Sequence, residues 1–93
     1  TKDYVLTESN LTLKSVPNVF RLKIITEIEP GKNTELSGLY KSRDIYCTQC
    51  EAEGFRRITY FLDRPDVMTC FKTKIMAPKN NYPFLLSNGN CIE

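Results

Sequence analysis

Ninety-three residues make one domain at most, and a chain of that length buries only about two-thirds of the surface its unfolded form exposes. A hydrophobic content of 41% beside 26% charged residues is that of an ordinary globular protein, which excludes a disordered or membrane-spanning chain. Thirteen basic against eleven acidic side chains leave +2, not the clustered positive field of a nucleic-acid binder.

Along the chain, Leu11 and Leu13 alternate with Thr12 and Lys14, and the turn-like Glu8-Ser9-Asn10 joins this short strand to Tyr4-Val5-Leu6, so a hairpin is expected to open the fold. The opening TKDYVLTESN has neither the basic start nor the apolar centre of a signal peptide, and Asn10-Leu11-Thr12 fits a glycosylation acceptor. In residues 20 to 29, Phe20, Leu22, Ile24 and Ile28 share one parity while Arg21, Lys23, Glu27 and Glu29 share the other, which predicts a half-buried strand. Pro30-Gly31-Lys32-Asn33 supplies the residues of a tight turn after it. Residues 40 to 62 read as extended, and Ile58, Thr59, Tyr60, Phe61 and Leu62 put apolar groups on both faces, as a central strand would.

Pro65 and Asp66 in DRPDVM suit the first turn of a short helix of one or two turns. Residues 71 to 77 resume strand alternation before Pro78, and a loop over 79 to 83 leads to Phe84-Leu85-Leu86-Ser87. Asn88-Gly89 is a strong hairpin signal that asks for a return strand, yet only four residues follow, so the chain is expected to be a piece of something longer or to have its edge completed by another molecule.

The run YCTQCEAEGF concentrates the chemistry. Its Cys47-x-x-Cys50 pair could serve a metal or a redox couple, but a zinc ribbon needs a second such pair, and Cys70 and Cys91 stand alone. A thioredoxin-like thiolate is opposed by Glu51 and Glu53 beside the thiols, because negative charge raises a thiol pKa. Ordinary half-buried thiols in a reducing, cytoplasmic setting are the favoured reading; two disulfides in a free-standing binding module are the alternative. Histidine is absent, which removes the commonest general base and the usual nitrogen ligands of zinc. If residues 47 to 53 are extended, Gln49, Glu51 and Glu53 share one face, either plain solvated surface or an acceptor for a ligand ammonium. Arg56 and Arg57 among Phe55, Tyr60 and Phe61 mix basic and aromatic groups, but a strand with one solvated face explains them more simply than single-strand binding.

GLYKS at Gly38 to Ser42, CTQCEAEGFRRITYFLDRPDVM at Cys47 to Met68 and YPFLLSNGN at Tyr82 to Asn90 resemble the N-terminal β domain of the bacterial aminopeptidase N (alanyl aminopeptidase) family of zinc-dependent enzymes. In that family the full enzyme is several times longer. Its catalytic domain carries His-Glu-x-x-His with a distant Glu as zinc ligands, and a Gly-Ala-Met-Glu-Asn motif; none of these occurs here. The resemblance implies that Gln49 and Glu51 hold the free α-amino group of a peptide substrate, and it gives Glu53 no role.

The combined expectation is one partial domain over residues 1–93, all-β, a twisted and mostly antiparallel sheet or open sandwich with one short helical turn near Pro65. The resemblance implies a fragment of a zinc metallo-aminopeptidase that anchors substrate and does not itself catalyse or bind metal. Its partners would be peptides with a free N-terminal amine and the catalytic domain of the same protein, with neither nucleic acid nor membrane. Self-association through exposed strand edges is left open.

Overall fold

The computed structural model describes residues 3–93, so the first two residues of the TKDYVLTESN reading lie outside it. The fold is all-β and antiparallel, with four strands in two separate two-stranded sheets. Strand β1 (Tyr4–Leu6) pairs with β2 (Leu11–Leu13) in the register Tyr4 to Leu13, Val5 to Thr12 and Leu6 to Leu11. The expected turn closes this hairpin: the Thr7 amide donates to the Asn10 carbonyl at 2.8 Å, and the Asn10 amide donates back to Thr7 Oγ1 at 3.0 Å. Cross-strand partners share a face, so Tyr4, Leu6, Leu11 and Leu13 point one way. They meet Leu22, Ile24 and Tyr60 around a hollow of about 270 Å³.

The second hairpin joins β3 (Gly38–Ser42) to β4 (Ile45–Gln49) through Arg43 and Asp44. Arg43 adopts φ +55°, the left-handed value that a two-residue hairpin turn requires and that glycine or asparagine usually supplies. Just ahead of β3, Pro30–Lys32 forms a single 3₁₀ turn with proline at its start, where a missing amide costs nothing. Asn33 then ties the approach to the sheet. Its side-chain amide donates to the carbonyls of Ser37 (2.8 Å) and Leu39 (2.9 Å), and its side-chain oxygen accepts from the Glu35 amide at 3.0 Å.

Several strand expectations are overturned. Residues 20 to 29, 58 to 62, 71 to 77 and 84 to 87 form no ladder with any described residue. The period-two pattern marks which side chains share a face, but a strand also needs a neighbouring backbone to receive its N–H and C=O groups. The face itself is real: Phe20, Leu22, Ile24 and Ile28 all line one wall of a broad open concavity. The extended reading of residues 40 to 62 fails because a hairpin turn and a second turn interrupt it. At Pro65 a single turn forms, with the Val67 amide on the Arg64 carbonyl at 3.1 Å and Arg64 Nε on Asp66 Oδ1 at 2.9 Å; that contact holds the Asp66 carboxyl below its usual range. Gly89 takes φ +90° as its turn reading anticipates, yet no return strand pairs there among the described residues.

No described apolar side chain is fully buried. The densest cluster is aromatic: Phe55, Phe61 and Phe71 pack with ring centres 5.0, 5.6 and 6.2 Å apart in tilted geometry. Tyr46 meets Tyr82 edge-on at 5.6 Å. Met68, Leu86 and Val19 remain about nine-tenths exposed, at 91%, 90% and 89%. The Cα radius of gyration is 15.6 Å, against about 12 Å for a compact domain of this length. We therefore expect the purified 93-residue chain to bind the hydrophobic dye ANS at pH 7 and to unfold in urea over a broad range. A steep transition without dye binding would contradict this packing.

Candidate functional site

Strand β4 ends at Gln49, opposite Gly38, and the chain at once turns back on itself through Glu51 to Gly54. The Gly54 amide closes that turn on the Cys50 carbonyl at 2.8 Å, and the 3₁₀ turn Phe55–Arg57 follows. Gln49 and Glu51 are both exposed at this end of the hairpin, and Gln49 Nε2 donates to the Glu51 carbonyl at 3.2 Å. The short bond ties the amide to the backbone of the acid two residues on. Because the strand stops at Gln49, the expected alternation over 47 to 53 does not continue, and Glu53 leaves the shared face. Glu53 sits at φ +63° and turns to Arg56, 3.5 Å away.

Arg56 organises the next loop. Its amide and its Nε both donate to Asp63 Oδ2, at 3.0 and 3.2 Å, and its terminal nitrogen donates to the Asp63 carbonyl at 2.7 Å. Asp63 is the shielded member, with its side chain 15% exposed against 52% for Arg56. Residue types alone did not single out Asp63: it meets Arg56 through a loop that belongs to neither a helix nor a strand ladder. Arg57 lies 3.9 Å from Glu35 in an exposed pair of the kind worth at most about 1 kcal/mol. Glu51 differs from all three acids, since its carboxylate makes no hydrogen bond or ion pair with any described residue.

The thiols are all free. Cys47 faces Tyr40 across the ladder, and the hydrogen bond between them, followed by the charge of Cys47, pushes the Tyr40 hydroxyl above the usual tyrosine range. Burial, then the charge of Asp63, pushes the Cys50 thiol up. Opposition to a thiolate is thus as anticipated at Cys50, but the acid responsible is Asp63, brought close by the fold. Among the described residues no group of three or more histidine, cysteine or acidic side chains could hold a metal ion. The main concavity, about 1350 Å³, has Ala52, Glu53 and Arg56 on its rim; Gln49 and Glu51 lie outside its lining.

Residues 2–93 match the family described as the Peptidase M1 N-terminal domain. The chain belongs to that family. Aminopeptidase N of Escherichia coli strain K12 is 64% identical over 83 residues, covering 89% of this chain and 10% of the relative. Aminopeptidase N of Haemophilus influenzae is 62% identical over 73 residues, 78% of this chain and 8% of the relative. That of Caulobacter vibrioides is 49% identical over 88 residues, 95% and 10% respectively. The chain therefore spans about a tenth of the length of the curated relatives it matches. No solved structure matches it.

Within this M1 N-terminal domain sequence, the end of the β3–β4 hairpin carries one amide, Gln49, and one acid, Glu51, that has no cation among the described residues. No helix among the described residues is long and apolar enough to cross a membrane. The half-covered Cys50 should react more slowly with iodoacetamide at pH 8 than the exposed Cys70 and Cys91, because burial and Asp63 disfavour its thiolate. Peptide mapping of the alkylated chain checks the order, and a Cys50 that reacts first would contradict it.

Proposed function

We propose that this chain is the part of an M1 aminopeptidase that receives the free α-amino group of a peptide, with Glu51 as the anionic acceptor and Gln49 beside it as a neutral contact. One observation carries the reading: in the turn after β4, Glu53 and the nearby Asp63 are both taken up by Arg56, while the exposed Glu51 carboxylate has no cation among the described residues. The relatives named aminopeptidase N supply the reaction class.

A carboxylate held at the edge of a cleft attracts an ammonium and rejects a peptide whose amine is blocked or missing, and this selects removal of the first residue over cleavage within a chain. Zinc and the group that activates water belong, on this reading, to the remainder of a longer enzyme, against which this partial domain packs as a lid over the amine end of the substrate. The large apolar side chains left exposed, Met68, Leu86 and Val19 among them, support the reading, since apolar surface of that extent in a stable protein is normally covered. Four cysteines present as free thiols favour a reducing, cytoplasmic compartment over a disulfide-stapled module.

A charge-assisted hydrogen bond of this kind contributes about 1.5 to 3 kcal/mol. Glu51→Ala in the full-length enzyme should therefore lower kcat/KM for an aminoacyl anilide by roughly ten- to a hundredfold, with Gln49→Ala the milder of the two. Steady-state kinetics decides it: wild-type turnover in the Glu51 variant would remove the residue from this role.

A further inference from the structure

Gly38 and Gly54 are the two buried residues among those described, and they lie on either side of the backbone that leads into Glu51. Gly38 pairs across the ladder with Gln49 at φ +78°, and a Cβ built on it would stand 2.8 Å from Arg57 Cβ and 3.6 Å from the Gly54 carbonyl oxygen. Gly54 has an ordinary φ of −89°, so room alone demands glycine there. A Cβ on it would meet Cys50 Cα at 2.8 Å, the Gln49 carbonyl oxygen at 2.8 Å and Ser37 Oγ at 3.1 Å. Gly31 and Gly89, by contrast, have nothing within 4 Å of the corresponding point. Close approach is thus confined to the one place where the candidate amine acceptor leaves the sheet.

We propose that the close packing of Gly54 on the Gln49–Cys50 backbone, and of Gly38, the ladder partner of Gln49, on the 54–57 turn, is a positioning device that sets where the Glu51 carboxylate stands. The inference rests on the amine-anchoring reading given above. The first two atoms that a methyl group on Gly54 would strike are backbone, so no rotamer change relieves the clash and the 49–50 segment or the 54–57 turn must move. Glu51 follows Cys50 directly and moves with it. A displacement of about 1 Å at a substrate-orienting group costs on the order of a hundredfold in rate. Neither glycine touches substrate; both act through Glu51.

The test uses the full-length enzyme and two inhibitors, L-alanine hydroxamate and propionohydroxamate, which differ only in the α-amino group. The ratio of their inhibition constants measures amine recognition and does not depend on how much of a variant is folded. Gly54→Ala and Gly38→Ala should each reduce the preference for the amine-bearing inhibitor by about tenfold or more, while Gly31→Ala leaves it within about twofold. Adding Gly54→Ala to Glu51→Ala should reduce it no further, because nothing is left to position. An unchanged ratio in both glycine variants, with the Glu51 variant still impaired, overturns the positioning role and leaves amine anchoring intact. An unchanged ratio in Glu51→Ala overturns amine anchoring and the positioning role with it. Additive losses in the double variant show that the glycines act on amine recognition by a route other than Glu51, and no folded enzyme from either glycine variant assigns the contact to stability alone; either result overturns the proposal.

Discussion

The close approach of two glycines, Gly54 to the backbone of Gln49 and Cys50 and Gly38 to the Cβ of Arg57, is the constraint on which the site depends. Gly54 lies against the Gln49 carbonyl and Cys50 Cα, and Gly38 lies against Arg57 and the Gly54 carbonyl. The β3–β4 hairpin supplies one side of this sandwich of main chain and the turn of 51 to 54 supplies the other. Upstream, Asn33 fixes the entry to β3 through three side-chain hydrogen bonds, so the position of Gly38 is set from both directions. In a chain with no buried apolar side chain, local ladders and polar ties of this sort carry much of the order that a core would otherwise provide.

The electrostatics follow from the same geometry. Arg56 sits where the turn and the following loop meet, close enough to engage Glu53 on one side and Asp63 on the other. One guanidinium can serve two acids because its donors fan out in a plane. The arrangement leaves the acid nearest the end of the strand without a partner among the described residues, and it brings Asp63 to bear on Cys50, where burial first and then that charge push the thiol pKa up. Charge is thus sorted along thirteen residues of chain, from Glu51 to Asp63, by which side chains the turn lets reach one another.

What the amino acids disclosed in advance was uneven. The first hairpin was legible because Leu6 and Leu11 flank a run of turn formers, so local sequence specifies both strands and the connection. The second hairpin was not, since Ser42-Arg43-Asp44-Ile45 contains no glycine or asparagine, and the positive φ falls on an arginine. Residues 20 to 29 displayed the right face but no ladder, because pairing depends on a partner that periodicity does not name. At the site, parity put Gln49, Glu51 and Glu53 on one face and family resemblance singled out Gln49 and Glu51; the fold leaves both exposed where β4 ends. Their neighbours Gly38, Gly54 and Asp63 were invisible to spacing, because each acts through a contact that exists only after the turn has formed.

The two sheets have two strands apiece, so every strand keeps one side of its ladder bare among the described residues. Newly made copies are consequently adhesive in two chemically different ways: open amide edges recruit other strands, and the exposed apolar side chains recruit other apolar surfaces. Crowding sets how often those encounters happen, which makes the interval between synthesis and coverage of these groups the stage at which clumping competes with correct assembly.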